Sequence, residues 1–164
     1  MQKFISISII SSFLFVLLFS FSIHQVEAQT TLYNWDSYGV QFSIPSTHEI
    51  KQSSGTAFES GDNLTWLEMY PFKDYSATSK GMVQKIANEK GYRAISEGAY
   101  KSGGYDGYWI RCSTARHPTW LFWVIGFIDP ESDTNFYAII WWKKDNQRAY
   151  DLAYNMSYSF KRMK

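Results

Sequence analysis

The sequence predicts an α+β fold, a central antiparallel β-sheet sandwiched between helices. Two observations carry that expectation. The first lies between Thr119 and Lys144, where the runs Trp120–Ile128 and Phe136–Trp142 flank the polar break Asp129–Asn135. Runs rich in β-branched and aromatic residues joined by turn formers read as a β-hairpin. Alternate side chains of a strand face opposite ways. Leu121, Trp123, Ile125 and Phe127 therefore share one face, while Trp120, Phe122, Val124 and Ile128 share the other. Both faces are apolar, so both need a covering layer. The second observation is a change of period. Met82, Val83, Ile86 and Ala87 recur at helical spacing, as do Ala149, Leu152, Ala153 and Met156, which gives two amphipathic helices to supply the cover.

Taken in order, the chain of 164 residues opens on Met1-Gln2-Lys3, followed by an apolar run from Phe4 to Ile23 and the small-residue end Val26-Glu27-Ala28. This is the pattern of a signal peptide over residues 1–28, leaving residues 29–164 as a single domain. The expected location is secreted or periplasmic, with no stable membrane insertion after cleavage. The alternative is anchoring by an uncleaved N-terminal helix, since the run approaches the ~20 residues that span a bilayer. Gln29–Trp35 reads as a leader into the domain. Tyr38–Pro45 alternates Val40, Phe42 and Ile44 against polar or small neighbours, which marks a strand that Pro45 ends. Ser46–Lys51 turns back as a second strand. Thr56–Glu59 and Leu64–Tyr70 form a further hairpin, with Leu64, Trp66 and Glu68 on one face and Thr65, Leu67 and Met69 on the other. After the first helix, whose N-caps fall in Asp74–Ser79, strands resume over Tyr92–Tyr100 and Tyr105–Thr114. Beyond the last helix, Lys161–Lys164 is expected to fray into solvent.

The opening Tyr38–Pro45, the mid-chain helix, the pair Gly91-Tyr92 and Gly107-Tyr108, and the closing helix into Ser159-Phe160 resemble the PsbP-like group. That group is named after an extrinsic subunit of photosystem II and includes the bacterial envelope protein DcrB and a Ran-binding import factor. The resemblance spans residues 33 to 162. Where many relatives carry a tryptophan after the strand-ending proline, this chain has Ser46-Thr47-His48. The resemblance implies an antiparallel sheet between helices, and a role in binding or stabilising protein assemblies.

Composition narrows the chemistry. Hydrophobic residues make up 45% of the chain and charged residues 19%, with a formal net charge of +1. Near-neutrality argues against nucleic acid as a partner, since that requires a basic face. Cys112 is the only cysteine; it has no partner for an internal disulfide and sits in an alternating strand, where it reads as a small buried hydrophobe. Outside the signal segment only His48 and His117 remain, and no Gly-x-Ser-x-Gly elbow is present. Asp129, Glu131, Asp133 and Asn135 alternate like the start of a calcium loop. Thr134 and Ile140 stand where an EF-hand needs glycine and glutamate, so the segment reads as a solvated turn. No cofactor or metal is expected.

The aromatic load is the one functional signal. Seven tryptophans exceed what a small core needs, and exposed tryptophan makes sugar-stacking or protein-binding patches. Trp109 and Arg111 share a strand face that mixes an indole with a guanidinium, a composition typical of binding surfaces. They are the expected binding surface. The expected function is that of a secreted, non-enzymatic interaction or accessory domain of the cell envelope, bound to another envelope or secreted protein. A carbohydrate-binding module with an aromatic platform is the alternative, and a small hydrolase ranks third.

Overall fold

The computed structural model describes residues 29–73, 78–129 and 135–163. The expected signal peptide over residues 1–28 lies outside them, as do residues 74–77 and the hairpin tip at 130–134. In chain order the elements are β1 (Thr30–Trp35), a 3-10 turn (Asp36–Tyr38), β2 (Val40–Pro45), β3 (Glu49–Ser53), β4 (Phe58–Gly61), β5 (Thr65–Pro71), α1 (Ser79–Glu89), β6 (Arg93–Ser102), β7 (Tyr105–Ser113), β8 (Trp120–Ile128), β9 (Asn135–Lys143), α2 (Gln147–Tyr158) and β10 (Lys161–Arg162). Seven strands form one antiparallel sheet in the order β3-β4-β5-β9-β8-β7-β6, and three form a second in the order β1-β2-β10.

The aromatic hairpin is the middle of the larger sheet. Trp123 stands opposite Ile140, and Phe127 opposite Phe136. Its two faces feed two separate cores, as the alternation requires. Trp123, Ile125, Phe127, Phe136, Ala138, Ile140 and Trp142 enter one. Phe122, Val124 and Ile139 enter the other, beneath Met82, Val83, Ile86 and Ala87 of α1. Both helices begin on the side chains their sequences offer. The Thr78 hydroxyl accepts from Gly81 N–H at 3.1 Å, and Asn146 Oδ1 accepts from Ala149 N–H at 2.9 Å, each satisfying a donor that the first turn leaves free. Cys112 is fully buried, and burial pushes its thiol up to about 12.

The expected helix–sheet–helix sandwich is not what the chain builds. The described residues are mostly strand, with two sheets and two α-helices. The reason is size. Seven strands at a spacing of about 4.8 Å span about 30 Å, whereas one helix is about 10 Å across. On the face away from α1, α2 is therefore joined by the second sheet, which contributes Trp35, Val40, Phe42 and Ile44 to the larger core. The segment expected to be a leader is strand β1, paired with β2 along its length from Thr30 opposite Pro45 to Trp35 opposite Val40. Ser46–Lys51 likewise does not return beside β2. Strand β3 instead pairs with β4 in the other sheet.

The tail does not fray where it was expected to. Lys161 and Arg162 pair with Gln41 and Val40 as β10, and Arg162 Nη1 donates to Asp129 Oδ1 at 2.8 Å. Asp129 is buried, so the solvated-turn reading fails at this residue; residues 130–134 of the same segment are not described. The turn between β6 and β7 explains how the tail reaches its place. Gly103 adopts φ +55°, and a Cβ there would lie 2.1 Å from the Phe160 carbonyl oxygen and 2.5 Å from Lys161 Cα. Only glycine lets the tail cross so closely.

Finally, both outermost strands of the larger sheet carry an irregularity. The register shifts between Ile50 and Gln52 in β3, and between Ala94 and Ser96 in β6.

Candidate binding cleft

The two helices cover the larger sheet diagonally. Helix α1 lies over β6, β7 and β8 on one face, and α2 over β5 and β9 on the other. On the α1 side this leaves β4, β5 and β9 without a helix above them. The residues exposed by that gap are aromatic and acidic.

Cross-strand register sets them in rows. Gly61, Trp66, Trp141 and Phe122 stand side by side across four strands, and Glu59, Glu68, Ile139 and Val124 form the next row. A Cβ on Gly61 would lie 2.0 Å from the Trp66 ring, so the bare glycine is what lets this indole lie against the β4 backbone. Trp66, Trp120, Trp141 and His117, with Glu68 and Asp62, line an open cleft of about 410 Å³. Trp141 is fixed from three directions. Its ring packs on Phe122 at 4.0 Å, His117 meets it edge-on at 5.8 Å, and its Nε1–H donates to Glu68 Oε1 at 2.9 Å.

The carboxylates are equally well held. The Tyr70 hydroxyl donates to Glu59 Oε1 at 2.7 Å and lies 3.3 Å from Glu68 Oε2. Burial raises the Glu68 pKa above its ordinary value, against the opposing pull of the Trp141 hydrogen bond and the Lys90 charge. Burial also opposes ionisation of Asp62. There the Thr47 hydroxyl and the Thr65 and Leu64 amides outweigh it and hold the pKa below the ordinary value. At the rim, Lys143 Nζ rests 4.6 Å from the centre of the Trp120 ring. Aromatic walls around a carboxylate attract cations through both ring quadrupole and charge. The same walls can stack on a sugar ring.

The expected binding surface, Trp109 and Arg111, is on the opposite face. The structure does bring the two together: both are half-buried and line one cavity of about 180 Å³ against α2. The cleft around Trp141 was not foreseen. Its local signal was present, since Trp66 and Glu68 share a strand face, but the pairing of β5 with β9 joins residues some seventy positions apart.

His48 lies behind the cleft wall. Its Nδ1 is 3.0 Å from Ser60 Oγ and its Nε2 is 2.8 Å from Thr65 Oγ1. A nucleophile–base pair of the serine type needs a carboxylate on the far nitrogen and an open nucleophile. Here a threonine occupies the far nitrogen, and Ser60 and Thr65 are fully buried. Burial lowers the His48 pKa to about 4, against the raising charge of Asp62. Unfolded histidine titrates near 6.5, so the unfolded chain takes up a proton first, and stability is lost as pH falls from about 6.5 towards 4. Melting temperature is expected to fall across that window in the wild type and to fall less in His48→Gln, measured by thermal melts from pH 7.5 to 4. Parallel curves for the two proteins would show that another group carries the dependence.

No protein-family model matches the sequence, and no curated protein does. Solved structures do. The Ran-binding protein Mog1p of Saccharomyces cerevisiae matches with a TM-score of 0.56 at 10% identity, over 82% of this chain and 96% of that one. The cyanobacterial PsbP of Synechocystis (CyanoP) matches with a TM-score of 0.58 at 12% identity, over 82% of this chain and 93% of that one. The chain has the PsbP-like fold. The resemblance seen in the sequence thus holds for the fold, and Mog1p and CyanoP share it at identities that carry nothing further about activity.

Proposed function

We propose that this chain is a PsbP-like accessory module of the cell envelope, exported by its N-terminal segment, that binds a partner protein without catalysis. Its contact point is the cleft around Glu68, where a lysine or arginine side chain of the partner lies between the indoles. The single observation behind this reading is the set Trp66, Trp120 and Trp141 around a half-buried carboxylate. The protein's own Lys143, seated on Trp120, gives the mode of contact in miniature. A structural neighbour named for binding another protein is consistent with such a role. Carbohydrate is the second reading, favoured by the same three indoles.

Arrays of basic, acidic and neutral peptides, run beside a glycan array, separate the two. Basic peptides should be retained, and Glu68→Gln should weaken them about tenfold, the equivalent of about 1.4 kcal/mol. Retention of glycans alone would replace the protein reading with the sugar one. Retention of neither would remove the cleft as the contact point.

A further inference from the structure

The other gap left by the diagonal helices is basic where the first is acidic. On the α2 side, β6 and β7 run past the helix near Arg93 and Ser113. Arg93 faces Ser113 across the two strands, and Arg111 faces Ser96. With Lys144, just beyond β9, Arg93 and Arg111 line a groove of about 530 Å³ whose lining includes no carboxylate among the described residues. Three cations converge on this groove in a chain whose net charge is only +1. None of the three forms an ion pair among the described residues.

Arg111 also belongs to the neighbouring cavity of about 180 Å³, walled by Trp109, Trp123, Tyr150 and Tyr154. It is the joint between the two spaces. Its guanidinium carbon lies 5.7 Å from the Trp142 ring centre. Its Nε is buried and has no hydrogen-bond partner. Buried donors in folded proteins are almost always satisfied, and an exception calls for a missing acceptor. A cavity of about 150 Å³ is enough to admit a benzene ring, so the aromatic chamber beside Arg111 has room for one.

We infer that this paired groove and cavity form a second binding site, independent of the cleft around Glu68, for a small aromatic anion. The ring enters between the tryptophans and the tyrosines of α2, and the carboxylate or phosphate it bears is held by Arg111, Arg93 and Lys144. Ring and anion are both required. The ring fills the aromatic chamber, and the anion meets the three cations at its mouth, where a guanidinium binds oxyanions through paired hydrogen bonds.

The test uses phenyl phosphate, phenylacetate, inorganic phosphate and benzyl alcohol, titrated into the protein and followed by indole fluorescence and indole N–H NMR shifts. Phenyl phosphate and phenylacetate should saturate, moving the Trp109 and Trp123 signals. Inorganic phosphate and benzyl alcohol should each bind at least about tenfold more weakly, a difference of about 1.4 kcal/mol. Arg111→Gln should weaken phenyl phosphate at least about tenfold. Arg93→Gln, at an exposed position that the fold does not depend on, should weaken it in the same direction, so a folding defect in the first variant leaves the question answerable. Glu68→Gln should leave it unchanged. Inorganic phosphate binding as tightly as phenyl phosphate, an absence of saturation by either aromatic anion, or affinity unchanged in both arginine variants would each overturn the site.

Discussion

Trp123→Ala will destabilise the protein by about 3–5 kcal/mol, the range for deleting a large buried aromatic side chain. Trp109→Ala will cost clearly less. Trp123 retains 8% of its surface and packs its ring on Trp142 at 4.2 Å and on Tyr150 at 5.5 Å. Its loss therefore opens a void between the middle of the larger sheet and α2. Domains of this kind hold a total of about 5–15 kcal/mol, so the variant should lose a large share of its stability. Trp109 is half-buried, so its removal takes less apolar surface out of the interior. Urea melts of both variants give the comparison. Equal losses would mean that Trp109 is as firmly packed as Trp123, and the chamber beside Arg111 would then be part of the core.

Gly103→Ala is the second large effect, with an expected loss of about 1–3 kcal/mol from overpacking and a strained left-handed backbone. The added methyl meets the backbone of Phe160 and Lys161, and backbone cannot rotate aside as a side chain can. The tail must shift. With it would go the Arg162 N–H bond to the Gly103 carbonyl at 2.9 Å and the Met163 N–H bond to the Gly39 carbonyl at 2.7 Å. Hydrogen exchange localises the damage: the amides of Arg162 and Met163 should lose protection well before those of β8 and β9. An unchanged urea midpoint with protection intact would show that the turn adapts without moving the tail.

What the sequence disclosed and what it hid follow a physical line. Patterns closed within one segment were legible. The alternation in β8 set Trp123, Ile125 and Phe127 in one core and Phe122 and Val124 in the other, and the spacing of Met82, Val83, Ile86 and Ala87 named the buried stripe of α1. Elements whose existence depends on a distant partner were not. Strand β1 carries Leu32 at 60% exposure beside half-buried Tyr33, so it shows little alternation of its own and is a strand because β2 lies next to it. Strand β10 consists of two charged residues, held by β2 and by Asp129. The cover over the sheet differs from expectation for the same reason, since these two segments are the outer strands of the second sheet on either side of β2. Trp109 and Arg111 were legible as a pair because they are two residues apart on one strand. The rival cleft needed Trp66, Trp120 and Trp141 from three strands, and only the register of the folded sheet places them together.

The shifted registers at Ile50 and at Ala94 have a consequence for the protein in concentrated solution. The outermost strand of any open sheet presents free amides and carbonyls on which another chain can continue the ladder. In the larger sheet β3 and β6 are those strands, and each is broken by an extra residue part-way along. A bulge bends the strand and interrupts the regular spacing of its outward-facing groups, so an approaching copy finds only short stretches on which to pair. The larger sheet thus carries, at both margins, an interruption that limits edge-to-edge stacking of copies, whereas β1, at the edge of the smaller sheet, pairs with β2 without a shift.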